Sequence, residues 1–368
     1  MSDFDKATSF KELYKGLSKS ANGVTWKDSV AGYTMDGLRN TMKLRRSILN
    51  NSYEISSYQK FKIHEPKERE IVATRIRDRQ FQRSLCDNVL TPQITRTFTY
   101  DNGACLKHKG VDFAMNRLDA HLHRYYRKHG CDGWVLRCDI YHYFPETRHD
   151  VAKAAMRKRL DDDRAYNEVE RIVDSFEGDK GIALGSQVSQ IMQLAVLDDL
   201  DHFIKERMKI KHYIRYMDDF VLIHNDRSVL EECLRHIRSH LENIGLRLND
   251  KTHIHPLRNG IQFLQWKFIL TDSGKVIRRV GRRSITKERR RLKKLASKIK
   301  NGDMPPEKLS ESFYSWRGHI RRGNTWRVEQ KMTALYNQLQ KEVNNYDDKQ
   351  GTGAGEGEAA QDDCRGES

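Results

Sequence analysis

The stretch YIRYMDDFVLIHND, residues 213–226, sets two adjacent aspartates between two runs of strand-forming residues. Tyr213, Ile214 and Tyr216 come before Asp218 and Asp219; Phe220, Val221, Leu222 and Ile223 come after. Aromatic and β-branched residues favour strands, so the pattern predicts a β-hairpin with the two aspartates at its tip. Neighbouring carboxylates repel each other and add nothing to packing. A divalent cation removes that conflict, and hard oxygen donors suit Mg²⁺, which takes one or two carboxylates plus substrate phosphates. An Asp-Asp turn is also ordinary turn chemistry, so the hairpin does not decide the matter alone.

A third carboxylate strengthens the metal reading. GWVLRCDIY, residues 133–141, reads as a buried strand ending at Asp139, followed by Tyr141, Tyr143, Phe144 and Pro145. A strand ending in Asp beside a hairpin tipped with Asp-Asp would gather three carboxylates. Two Mg²⁺ about 3.5–4 Å apart could then activate a 3′-hydroxyl and stabilise a leaving pyrophosphate.

Bulk composition bounds the rest. The chain has 368 residues with 37% apolar content, enough for a core in two or three packed units. No window approaches the roughly eighteen apolar residues of a membrane span. The start, MSDFDKATSFKELYKGL, lacks the apolar segment of a secretory signal, so a cytoplasmic location is expected. Cys86, Cys105, Cys131, Cys138, Cys233 and Cys364 form no CxxC pair and read as reduced thiols. His253 and His255 lack a cysteine pair at zinc spacing.

The formal net charge is +16, which points to a polyanionic partner. Residues 275–300, KVIRRVGRRSITKERRRLKKLASKIK, carry thirteen Lys or Arg against one acid, Glu288. Ile285, Leu292, Leu295 and Ile299 share a helical face there, and nucleic-acid contact would offset the repulsion on the others. Residues 347–368, DDKQGTGAGEGEAAQDDCRGES, read as a disordered acidic tail. Between these landmarks, residues 63–82 predict a hairpin and then a helix from near Asp78. Helices are expected over 147–160, 164–176 and about Ser189 to Met208. Ser228 and Glu231 form a capping-box pattern, Gly245 a helix stop, and short strands are expected near 246–248 and 261–270.

Taken together, these segments resemble reverse transcriptases. RCDIYHYF looks like the family's D-x-x-x-[FY]-F motif, and YMDD like its second catalytic motif. GIALGSQVSQ contains L-G-x-x-x-S-Q, Leu184 to Gln190, which is similar to the signature of diversity-generating retroelements of bacteria and their phages. RIRDRQFQRSL, YDNGACLKHKG and SWRGHIRRGNTWR resemble the same subfamily, over roughly residues 60–330. The resemblance implies an α+β right-hand polymerase with fingers, an antiparallel-sheet palm and a helical thumb. The expected divisions are 1–130 for the N-terminal region and fingers, 131–274 for the palm, 275–345 for the basic thumb and 346–368 for the tail.

It also implies roles. Asp139, Asp218 and Asp219 would be catalytic and, with the backbone carbonyl of Ile140, would bind two Mg²⁺, with Mn²⁺ able to substitute. Phe144 would be the steric gate against a ribose 2′-hydroxyl. Arg69, Arg75 and Arg77 would meet the incoming dNTP with Leu184 and Gly185, although Arg77 has Asp78 beside it as an alternative partner. Leu184 stands where many relatives place Gln, and the subfamily links an apolar residue there to misincorporation opposite adenine. Tyr216, Met217, Gln187 and Gln190 would touch the nucleic acid, as would Arg282, Arg283, Arg290 and Lys294 in the thumb. Ser189 would help shape the same floor or cap its helix. Expected partners are an RNA template, a DNA or RNA primer, dNTPs and a pentameric accessory variability protein. A further nuclease domain is not expected. The rivals are a reverse transcriptase of another bacterial class, such as phage defence or a group II intron relative, and a non-catalytic RNA-binding module.

Overall fold

The structure is a computed structural model that describes residues 2–64 and 68–352, without the side chains of Arg69 and residues 346–352. Of residues 346–368, expected as a disordered acidic tail, 346–352 instead continue the last helix, and 353–368 lie outside the described residues. Two compact units divide between Leu257 and Arg258.

The first unit opens with helices α1 (Asp3–Ala7), α2 (Phe10–Ala21), α3 (Asp28–Met35) and α4 (Gly37–Leu49). The hairpin of β1 (Gln59–Ile63) and β2 (Arg69–Ala73) leads into α5 (Ile76–Leu85), close to where the sequence placed it. A π-helical turn, Cys86–Leu90, joins α5 to α6 (Thr91–Thr95), and α7 (Val111–His129) follows. Next come β3 (Trp134–Asp139), α8 (Tyr143–Glu146), α9 (His149–Arg157), α10 (Asp163–Asp174), α11 (Gln187–Val196) and α12 (Asp198–His202). The unit finishes with β4 (His212–Tyr216), β5 (Asp219–His224), α13 (Arg227–Asn243) and β6 (His253–Pro256).

The four strands form one antiparallel sheet in the order β4-β5-β3-β6. Side chains alternate between its faces. Leu136, Cys138, Phe220, Leu222 and Tyr213 share one face and join the helical core with Leu230, Cys233 and Ile237 of α13. Asp139 and Asp219 therefore project from the other face.

Local details correct three expectations. The apolar run 189–208 is not one helix: α11 starts at Gln187, capped by Ser186, and stops at Val196. Leu197 then begins a break, and residues 203–207 form a π turn. The cap of α13 is Asp226, whose side chain accepts from Ser228 N, while Glu231 pairs with Arg227. At 246–248 only a single bridge forms, Leu248 with Ile140. Gly245 does end α13, with φ +73° and its N–H donating to Glu242 O at 3.0 Å.

At the other end of β4, His212 meets His121 edge-on at 5.7 Å and Tyr125 at 5.4 Å. Burial, reinforced by the positive charges of His121, His129, Lys205 and Arg124, pushes its pKa down to about 4. Between that value and the ordinary 6.5 the unfolded chain binds more protons than the folded one. His212 therefore contributes stability that is complete above about pH 6.5 and lost as pH falls through about 4. Urea unfolding at pH 7 and pH 4.5 should differ by up to about 3 kcal/mol from this residue. His212→Phe should remove that share of the difference.

The second unit pairs β7 (Ile261–Phe263), β8 (Trp266–Leu270) and β9 (Val276–Val280) with helices α14 (Arg282–Lys300), α15 (Glu307–Ile320) and α16 (Trp326–Thr352). Leu292, Ala296 and Ile299 of α14 pack with Phe313, Trp316 and Tyr336. Glu288, the one acid of the basic stretch, is buried and accepts from Ser312 Oγ at 3.0 Å. Arg282, Arg283, Arg290 and Lys294 are all exposed. With its acid turned inward, the exposed face of α14 carries Lys and Arg with only the neutral Thr286 and Ser297 among them.

Candidate active site

The hairpin is built as its sequence suggests. Tyr216 pairs with Asp219, so Met217 and Asp218 form a two-residue turn. Met217 has φ +57°, the left-handed region that primed hairpin turns require at their first central position. For a residue with a side chain that conformation costs on the order of 1–3 kcal/mol, so the surroundings must hold it.

Asp139 lies directly opposite Asp219 in the β3–β5 register. Directly opposed residues on one face bring their Cβ atoms to about 4.5–5.5 Å. The strand end and the hairpin tip thus bring the three aspartates to one edge of the sheet. Asp139 is fixed by its backbone: its carbonyl accepts from Asn249 N at 2.7 Å and its N–H reaches Thr252 Oγ1 at 3.4 Å. Ile140, next in the chain, bridges to Leu248.

Among the described residues no three His, Cys, Asp or Glu side chains already converge as a metal cage. Asp219 leans toward Arg137, with Nε 3.5 Å from Oδ1. The donor set is all oxygen, which fits Mg²⁺ or Mn²⁺.

The sequence did not flag what lies beneath the turn. Arg215, fully buried, donates from Nε to Asp201 Oδ1 at 2.7 Å and from Nη2 to Asp201 Oδ2 at 2.5 Å. Its Nη1 donates to the Met217 carbonyl at 3.1 Å. Burial alone would lower the Arg215 pKa, but the Asp201 carboxylate more than reverses this and keeps it charged. Tyr213 also donates to Asp201, at 2.5 Å. On the main chain, Arg215 N donates to Asp101 O at 3.0 Å and Gly103 N to Arg215 O at 2.8 Å. Asp101 is itself clamped by Arg117, His121 and Lys205. Its burial opposes ionisation, yet these three partners hold its carboxyl well below the usual range. An Arg inside an apolar strand, on the inward phase of its alternation, was the available signal.

Phe144, half-buried, lines a cavity of about 400 Å³ with Leu184, Val72, Tyr58 and Phe176. The Phe144 carbonyl accepts from Ile182 N at 2.9 Å, and Val72 N donates to Leu184 O at 3.0 Å. The LG loop is thereby laid against the β1–β2 hairpin. Gly185 has φ +124°, and a Cβ there would come within 3.0 Å of Val72 O, so no other residue fits without strain.

The remaining expected residues are spread around this centre. Gln187 and Gln190 line a neighbouring cleft with Arg79, Cys105 and Ser186. Ser189 is wholly buried and takes no part in capping. Tyr216 is half-buried, and Met217 Sδ lies 4.0 Å from Cys105 Sγ. Arg75 is exposed, with Nε donating to Ser57 O at 3.3 Å. Arg77 is drawn inward: it donates to the Glu54 carbonyl, reaches Asp78 Oδ1 at 3.3 Å and lies over the Tyr53 ring. The side chain of Arg69, in β2, lies outside the described residues.

Residues 64–268 match the family model described as reverse transcriptase (RNA-dependent DNA polymerase), more than half of the chain. This chain belongs to the reverse transcriptase family. Among curated proteins it is similar to Protein YkfC of Escherichia coli (strain K12), 26% identical over 178 residues, or 37% of this chain and 47% of that protein. The chain spans about half the length of that relative. Among solved structures, apo telomerase from Candida tropicalis is similar at TM-score 0.51 and 11% identity, over 77% of this chain and 58% of that one. Telomerase from Candida albicans, bound to a TWJ fragment of telomeric RNA, aligns at TM-score 0.48 and 11% identity, over 85% and 64%. The Candida tropicalis likeness shows a shared α+β polymerase fold. No helix among the described residues of this reverse transcriptase is long and apolar enough to cross a membrane.

Proposed function

We propose that this reverse transcriptase is the RNA-directed DNA polymerase of a diversity-generating retroelement, copying a template-repeat RNA into adenine-mutagenised cDNA. Leu184 carries the reading: an apolar side chain shares one cavity with Phe144, where a hydrogen-bonding residue would otherwise test the nascent pair. The Asp139, Asp218 and Asp219 carboxylates would hold two magnesium ions. Bound there, such ions supply Lewis-acid activation of a primer 3′-hydroxyl and neutralise charge on the departing pyrophosphate.

The chain's own groups do the rest. The Phe144 ring excludes the 2′-hydroxyl of a ribonucleotide. The Arg75 guanidinium, exposed beside the fingers hairpin, would meet the triphosphate. Leu184 offers van der Waals contact alone, so a misaligned pair loses little relative to a correct one. The basic face of α14 tracks the phosphates of an RNA–DNA hybrid by shape and charge. A pentameric accessory variability protein would assist RNA binding.

Sequencing of cDNA made by Leu184→Gln tests the subfamily assignment. A neutral hydrogen bond is worth about 1 kcal/mol net, so errors opposite template adenine should fall roughly fivefold relative to those opposite other bases. An unchanged spectrum, or equal errors at all four template bases in the original enzyme, would favour a reverse transcriptase of another class.

A further inference from the structure

We infer that Arg215 is a positioning residue: its fork on Asp201 and its bond to the Met217 carbonyl set the direction in which the hairpin tip presents Asp218. The inference rests on Asp218 and Asp219 serving as metal ligands.

The geometry is specific. Met217 holds a left-handed φ of +57°, and rotation of the peptide that follows it would swing Asp218. The carbonyl of that peptide is the one Arg215 Nη1 grips at 3.1 Å. Two other bonds, both to Asp201, fix the guanidinium plane, and a fourth from Nη2 reaches Leu194 O at 3.3 Å. One buried side chain thus ties the α11–α12 segment to the turn. A planar fork can hold Asp201 and the Met217 carbonyl together; a lysine ammonium on a single stem cannot replace that geometry. A core that needed only filled volume would accept apolar side chains at all three polar positions, because a buried ion pair can be exchanged for hydrophobic residues with little loss of stability.

That contrast supplies the test. In the triple variant Asp201→Leu, Tyr213→Phe, Arg215→Met, no buried charge is left unpaired, but the grip on Met217 is gone. Its thermal midpoint should stay within a few degrees of the original. Its kcat in primer extension should fall about tenfold or more while KM for dNTP changes less than threefold. Mn²⁺ binding, followed by the EPR signal of free Mn²⁺, should weaken about tenfold. Arg215→Lys, which keeps the charge, should lose kcat and Mn²⁺ affinity three- to tenfold.

A folded triple variant with original kcat and Mn²⁺ affinity would overturn the inference. If the triple variant does not fold, Arg215→Lys decides by the same two measurements. Asp218→Asn is run beside them: full activity in that variant would sink the metal-site reading itself, whereas an inactive Asp218→Asn with an active triple variant would sink only the role of Arg215.

Discussion

Asp218→Asn should reduce primer extension on an RNA template by roughly 10³-fold or more while the protein stays folded. Losing one anionic oxygen donor removes several kcal/mol of transition-state stabilisation, and three decades of rate correspond to about 4 kcal/mol. Asn has the shape of Asp, so the turn is preserved. Its neutrality also relieves repulsion with Asp219 and Asp139, which share this edge of the sheet. The thermal midpoint should therefore hold or rise, as often happens when a functional charge cluster is diluted. Asp139→Asn should behave in the same way from the opposite strand. A variant that loses activity and unfolds together would show a structural role instead, and calorimetry beside the assay separates the two.

Phe144→Ala should relax sugar selection. The ring lines the cavity with Leu184 and Val72, and its backbone is pinned by Ile182 N. The pinned main chain makes side-chain truncation, and not loop movement, the main consequence. Exclusion of one small group by a pocket wall is worth about 1–3 kcal/mol, or 10- to 200-fold. The ratio of kcat/KM for dCTP over CTP should drop by roughly 10²-fold, mostly through a gain for CTP. An unchanged ratio would mean that Phe144 is a packing residue.

The sequence made the aspartate-bearing edge legible because runs of strand-forming residues and paired carboxylates are local signals. Runs of strand-forming residues around 213–223 and 133–141 predict three strands, and in the fold Asp139 falls opposite Asp219. The support beneath that edge was not legible. Asp201 is fourteen residues from Arg215, and only the tertiary fold reveals that each neutralises the other. The same capture explains the misread helix. Asp198 and Asp201 turn inward to Arg159 and Arg215, and the chain breaks at Leu197 to let them. The family resemblance gave Arg77 either a triphosphate or Asp78 as its partner, and in the structure its guanidinium reaches Asp78.

Fe²⁺-directed backbone cleavage tests the central claim most directly. Fe²⁺ bound in place of Mg²⁺, with ascorbate and peroxide, generates hydroxyl radicals that cut the chain beside the ion. With primer–template and dNTP present, cuts should appear near both residue 139 and residues 218–219 in one sample. Excess Mg²⁺ should suppress them, and Asp218→Asn should weaken both sets together. Cuts near only one of the two segments, or elsewhere in the chain, would contradict a shared metal site.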